Sequence, residues 1–265
     1  MARRTIADRR VLITGASSGV GRELSLSLAR RGARLLLAAR RAELLDAVVE
    51  ECVRAGGSAQ RLAGDVADAA YRDALMQHAL ANWGGLDVLI NNAGVSALER
   101  FDDSDDSTLR EIMEVNLFAP TDLTRRFLPL LAQGNQPAIV NIGSILGHRG
   151  APLNSEYCAS KFALRGWSES LRAELAPQGI DVLLVSPGTI ETPFFDRLLV
   201  KRAEPPWGDA KGIPAAAVAE QTVRALERRR REVFPNWRGR ALVLANRAFP
   251  GVVDWAMGRL GVRGD

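Results

Sequence analysis

The chain has 265 residues, 47% of them hydrophobic and 25% charged, which is enough to bury a full core and ordinary for a globular protein. Its opening, MARRTIADRRVLITG, has no apolar run ahead of the first strand-like stretch, and no run of ~18 uninterrupted apolar residues occurs anywhere, so neither a signal peptide nor a membrane span is expected and the cytoplasm is the default address. The net charge of +4 is uneven: residues 228–265 hold nine arginines against Glu232, Asp254 and Asp265, a balance of +6 that leaves −2 for the remainder and fits uniform nucleic-acid binding poorly.

In chain order, the strand candidates are RVLIT (10–14), RLLLAA (34–39), SAQRLA (58–63), LDVLIN (86–91), PAIVNI (137–142) and IDVLLVS (180–186). A seventh is expected at REVFP (231–235). Runs that are apolar on both faces predict strands covered by helices on each side, hence a parallel sheet. Helical patterns lie between them, such as 20–31 ending at Gly32 and 42–55 ending at Gly56-Gly57. Repeated βα units of this kind predict a doubly wound, Rossmann-like α/β sheet of about seven strands. With no linker or repeat in sight, one domain over 1–236 is expected, followed by a helical extension over 237–265. The two cysteines, Cys52 and Cys158, have neither ligand nor CxxC spacing, which argues against a disulfide framework or a zinc site.

The turn after the first strand, TGASSGVG, spans Thr14 to Gly21 and includes Ser17 and Val20. Gly15, Gly19 and Gly21 let the backbone turn sharply and approach a pyrophosphate on the helix N-terminus. The end of the second strand indicates which dinucleotide. An NAD site would place a carboxylate there for the ribose 2′-hydroxyl. This chain reads AARR, with Ala39 in the acid's place, then Arg40 and Arg41. Guanidinium forks suit a 2′-phosphate, and Ser17 offers a further donor, so NADP(H) is expected. The alternative is that the arginines begin a solvated helix, a reading that fits Arg41 better than Arg40.

TGASSGVG, NNAG (91–94), Ser144, YCASK (157–161) and PGTIET (187–192), in that order and spacing, resemble the short-chain dehydrogenase/reductases from about Arg10 to Phe234. NIGS stands where NISS is commoner, which leaves Ser144 as the serine that fits the catalytic place. The resemblance implies Tyr157 as general acid/base and Lys161 as ribose anchor and modulator of the tyrosine. It implies Ser144 as the holder of the substrate oxygen and Asn116 as the residue fixing a water that links Lys161 to solvent. It also implies cofactor contacts at Asn92, Ala93 and Gly94, at Asp65 and Val66 beside the adenine, and at Pro187, Gly188 and Thr192, with Thr192 steadying the carboxamide. For Asn116 alone the other reading is a locally bonded helix amide, and for Ser144 a strand-end turn serine.

The lysine is conspicuous, because three of the 35 basic residues are lysines and one of them follows one of the two tyrosines by four positions. A free tyrosine has a pKa of about 10, so acting near pH 7 asks for roughly 4 kcal/mol. One ammonium at ~4 Å supplies about that much at an effective dielectric of ~20. Residues i and i+4 share a helix face, and lysine's compact charge can also hold ribose hydroxyls.

Phe194, Phe195, Leu198, Leu199 and Trp207, with Leu98, Phe101, Ile145, Leu146 and Leu153, predict an apolar pocket for a hydrophobic ketone, aldehyde or secondary alcohol. His148 is a lesser candidate for orienting substrate, and Cys158 reads as a packed thiol. The competing class is an NADP(H)-binding regulator or scaffold without turnover, against which the complete set of Asn116, Ser144, Tyr157 and Lys161 argues. An epimerase or dehydratase would want a larger C-terminal substrate domain. The family's habit implies a homodimer or homotetramer through helices near 105–132 and 155–177. In the tail, five arginines face Trp and Phe on two short pieces split at Pro250-Gly251, which suits peripheral membrane contact; packing over the substrate loop is the alternative.

Overall fold

In the computed structural model, which describes residues 3–205, 208 and 212–261, the apolar runs become strands. These are Arg10–Thr14 (β1), Arg34–Ala39 (β2), Ser58–Ala63 (β3), Val88–Asn91 (β4), Ala138–Ile142 (β5) and Asp181–Val185 (β6). A two-residue ribbon, Ile190–Glu191 (β7) beside Ile213–Pro214 (β8), precedes the last strand, Glu232–Val233 (β9). Seven strands form one parallel sheet in the order β3-β2-β1-β4-β5-β6-β9, as expected. The β7–β8 ribbon has no counterpart among the expected strands, since two residues carry no periodicity to read.

Alternation along each strand sends side chains into two separate cores. Ile13, Leu35, Leu37, Ile90 and Val140 face one layer, formed by helices Gly19–Ala29 (α1), Ala42–Arg54 (α2) and Ala215–Glu227 (α7). Leu12, Leu36, Leu89, Ile139 and Val182 face the other, formed by Ala69–Trp83 (α3), Asp106–Met113 (α4), Ala119–Ala132 (α5) and Ser155–Leu175 (α6). The helix expected over 105–132 is divided: Glu114–Phe118 winds as a π-turn that holds the buried Asn116. Single π-turns recur at functional places because the extra residue re-aims a side chain.

The strand order reverses between β1 and β4, which opens a crevice beyond their C-terminal ends. That crevice is stitched from within. Thr14 Oγ1 accepts the N–H groups of Asn92 (3.0 Å) and Ala93 (3.1 Å), while the Asn92 side chain donates to the Thr14 and Gly15 carbonyls at 2.9 and 3.2 Å.

After β9 come Trp237–Ala248 (α8) and Pro250–Gly261 (α9), divided at the proline as expected. Asn236 caps α8 by accepting the Arg238 N–H at 2.9 Å. Gly239 lets α8 sit close on the body: a Cβ there would stand 2.8 Å from Ile145 Cγ2. Arg149 holds α9 through Asp254 at 2.5 Å. Among the described residues, no helix is long and apolar enough to cross a membrane.

Candidate active site

A cavity of about 610 Å³ runs along the crevice and contains most of the expected residues. At one end Gly15 takes a left-handed φ of 64°, and a Cβ on it would lie 2.9 Å from Ala93 Cα. A Cβ on Gly21 would collide with the Gly15 carbonyl, so backbone passes close to backbone there and the turn needs glycine. Ser18, the N-cap of α1, makes no side-chain cap, so its hydroxyl does not occupy the first-turn amides. Gly19, Val20, Asn92, Gly94, Asp65, Val66, Pro187, Gly188 and Thr192 line the same cavity. Thr192 Cγ2 would stand 3.3 Å from a Cβ on Gly19.

The two arginines divide their work differently from expectation. Arg41, whose sequence position suits the surface better, turns into the wall and donates to Ser17 Oγ (3.0 Å) and Ser18 Oγ (3.1 Å). Burial, then the nearby Arg197 and Arg40, holds its guanidinium below the usual arginine range. Arg40 is 68% exposed and lies 3.8 Å from Asp65, still at the cavity edge. Ala39 is buried at the end of β2, where a carboxylate would have to stand.

At the middle of the cavity α6 presents Tyr157 and Lys161 on one face, as their spacing demands. Lys161 Nζ lies 5.5 Å from the Tyr157 ring centroid and donates to the Ile142 carbonyl at 3.0 Å. Ser144 hydrogen-bonds the Tyr157 hydroxyl and also accepts the Leu146 N–H at 3.1 Å. Asn116 accepts the Val95 N–H at 2.9 Å and donates to the Val95 carbonyl (2.9 Å) and Ser160 Oγ (3.0 Å). It is therefore bonded across the crevice rather than within its own helix. Only Gly94 separates it from Lys161: a Cβ there would lie 3.2 Å from Asn116 Oδ1 and 3.8 Å from Lys161 Nζ.

The electrostatics correct one expectation. The i, i+4 spacing predicts an ammonium that brings the tyrosine toward neutrality, yet burial pushes the Tyr157 hydroxyl above its ordinary value, and the Ser144 hydrogen bond opposes it only in part. The cause is desolvation, since burial disfavours the charged phenolate. Lys161 donates to the Ile142 carbonyl, and its own burial lowers it to about 8.

At the far end Ile145, Leu146, Phe194 and Phe195 form an apolar wall, as expected. The other apolar candidates go elsewhere. Leu98 is fully buried in the body, Phe101 is 78% exposed, and Leu199 packs on the second core. Leu198 and Leu153 do not line the cavity, and Trp207 lies outside the described residues. His148 is not at the surface or in the cavity. It is buried, and its Nε2 meets Ser186 Oγ (3.1 Å) and Glu232 (2.9 Å) with the ring against Phe234. Cys158 is a packed thiol that burial pushes up. Ser96, Asn154 and Arg197 also line the cavity, although no motif marks them in the sequence, and so does Ser18 of the glycine turn. Asn154 donates to Ser96 Oγ at 3.2 Å and to the Ala97 carbonyl at 2.6 Å.

Residues 9–202 match the family model of the short chain dehydrogenases. The chain belongs to the short-chain dehydrogenase/reductase family. As a member of that family it is an oxidoreductase built on a Rossmann-like sheet. Hydroxysteroid 11-beta-dehydrogenase 1-like protein B of Xenopus laevis is 34% identical over 261 residues, which is 96% of this chain and 87% of the relative. A short-chain dehydrogenase/reductase from Burkholderia phymatum, solved in complex with NAD, superposes with a TM-score of 0.84 at 26% identity, covering 92% of this chain and 95% of its own. An alcohol dehydrogenase of Thermococcus sibiricus, solved with 5-hydroxy-NADP, gives 0.76 at 25% identity over 85% and 95%.

Proposed function

We propose that this short-chain dehydrogenase/reductase interconverts a hydrophobic ketone or aldehyde and its alcohol with NADP(H). The observation that carries the reading is one cavity with three consecutive regions: a glycine turn faced by arginines, the Ser144–Tyr157 pair beside Lys161, and an apolar wall. The dinucleotide fits on two counts, the close backbone approach at Gly15 and Gly21 and the guanidinium of Arg41 over Ser17 and Ser18. Gly15, Val20, Asn92, Ala93 and Thr192 would hold it along the crevice, with Asp65 and Val66 beside the adenine. When bound, it supplies or accepts the hydride.

The protein's own groups manage the proton. Tyr157, protonated at neutral pH and held so the more firmly by burial, donates its O–H to the carbonyl oxygen as negative charge builds there. Ser144 holds the same oxygen by a second hydrogen bond. Lys161, cationic below about pH 8, steadies the phenolate left behind, and Asn116 orients the polar route by which solvent returns the proton. Val95, Ile145, Leu146 and Phe194 exclude water from the reacting carbon, while Ser96 and Asn154 offer the few polar anchors. The Xenopus relative's name, a hydroxysteroid dehydrogenase-like protein, supports an apolar substrate of that bulk.

Two further readings belong to the same proposal. The chain pairs as a homodimer or homotetramer through α4, α5 and α6, whose flanking Phe118 and own Phe162 are 50% and 43% exposed. Over 237–261 the extension packs on the substrate side of the domain and turns Trp237, Leu244, Phe249, Val252 and Trp255 outward beside Arg238, Arg247 and Arg259, a composition suited to an anionic lipid surface from the cytoplasmic side. The purified protein, offered NADPH and a panel of aliphatic, aromatic and polycyclic ketones and aldehydes, is expected to oxidise NADPH, fastest with the apolar members. No oxidation with any member, and no reduction of NADP⁺ by the matching alcohols, would overturn the reading.

A further inference from the structure

The loop after β7 carries an arginine that no sequence motif marks. Thr192 to Arg197 crosses from the glycine turn to the apolar wall, and Phe195–Arg197 winds as a short 3-10 turn. Arg197 Nη1 donates to Ser18 Oγ at 3.2 Å. Arg41 Nη2 donates to the same oxygen at 3.1 Å, so the two guanidinium nitrogens stand at most about 6.3 Å apart. Arg40 reaches the same end of the cavity from the other side. Like charges drawn onto one hydroxyl repel each other, and a dianion between them reverses the sign of the interaction for every arginine at once. Asp65, near Arg40 and itself 44% exposed, offsets only part of that positive charge.

We infer that Arg197 is a third arm of the 2′-phosphate site, delivered by the substrate-side loop, and that NADPH but not NADH thereby fixes the wall on which the substrate rests. The inference rests on the NADP(H) reading above and deepens it. Its structural core is continuity. Phe194 and Phe195, which line the substrate end, sit three and two positions from Arg197, and the Arg197 N–H donates to the Phe194 carbonyl at 3.2 Å. Phe194 also stacks at a tilt against Tyr157, with ring centroids 6.1 Å apart. A phosphate that holds the Arg197 head therefore holds the backbone that positions Phe194 over the tyrosine. The Arg197 side chain bonds Ser18, not Tyr157 or Ser144. It is a positioning and specificity residue.

The test compares wild type with Arg197→Gln and Arg197→Lys by calorimetric binding of NADPH, NADH and 2′,5′-ADP. Hydrogen bonds to a charged group contribute about 1.5–3 kcal/mol, so Arg197→Gln is expected to weaken NADPH and 2′,5′-ADP roughly 10- to 100-fold, leave NADH within about twofold, and be partly rescued by lysine. Chymotryptic cleavage after Phe194 and Phe195, followed by mass spectrometry, reads the loop. In wild type NADPH should slow it far more than NADH, and in Arg197→Gln the two should act alike. Equal weakening of NADPH and NADH, or no weakening of either with cleavage unchanged, overturns the role of Arg197 while leaving the NADP(H) reading intact. A wild type that binds NADPH no better than NADH, and 2′,5′-ADP no better than ADP, sinks both.

Discussion

Replacing Lys161 by methionine should make the cofactor-free protein more stable while removing its activity. The lysine is 5% exposed and burial lowers it from an ordinary 10.5 to about 8. Keeping it protonated in the folded state at pH 7 therefore costs about 3 kcal/mol. Methionine removes that cost but leaves the Ile142 carbonyl, now 3.0 Å from Nζ, without its donor, a loss of about 1 kcal/mol. The net gain of about 2 kcal/mol corresponds to a rise in Tm of roughly 4–8 °C for a domain of this size. The pH dependence fixes the sign. Because the folded value is depressed, the penalty is complete below about pH 8, and it fades as pH rises from 8 toward 10.5, where the folded protein sheds a proton the unfolded chain keeps. The advantage of Lys161→Met should therefore be largest at pH 7 and shrink by about pH 9.5. Tyr157 does not disturb this window, because its value is raised and it loses stability only above about pH 10. Thermal unfolding of both proteins at the two pH values is the assay. A variant no more stable than wild type at pH 7, or one whose advantage grows with pH, would refute the reasoning.

Three further outcomes follow from the same structure. Arg40→Asp, which sets a carboxylate beside Ala39, should shift the ratio of kcat/KM for NADPH over NADH toward NADH by at least tenfold; an unchanged ratio would remove Arg40 from the phosphate site. Phe118→Asp with Phe162→Asp should convert the assembly to monomers in light scattering at micromolar concentration, and a wild type that is already monomeric would contradict the assembly reading. Full-length protein should sediment with phosphatidylserine-containing vesicles at low salt, and truncation after Asn236 should abolish this; wild type left in the supernatant would dismiss membrane contact.

The strands were legible because each central one is buried on both faces, a pattern that survives without knowledge of the fold. The glycine turn and YCASK were legible because each residue's chemistry is tied to a fixed offset along one element, whereas in AARR the offset did not reveal that Arg41 rather than Arg40 turns inward. What stayed hidden depends on direction and distance. Leu98 and Phe101 are three residues apart in a loop with no period, and one points into the body while the other points into solvent. Arg197 is 179 positions from Ser18, so only the folded loop brings them together. The sign of the shift on Tyr157 depends on how deeply the fold buries it, which spacing does not reveal. The π-turn at Asn116 gives no periodic signal, yet it is what directs that amide across to Val95.

The central claim is that Tyr157 is the proton donor of a carbonyl reduction. Tyr157→Phe preserves the ring and its contact with Phe194 and removes the hydroxyl that Ser144 engages. General acid catalysis contributes about 10²–10⁴-fold, so kcat for NADPH-dependent reduction of the best ketone should fall at least a hundredfold while the Kd for NADPH stays within about twofold. A Tyr157→Phe enzyme that turns over within about threefold of wild type would contradict the claim.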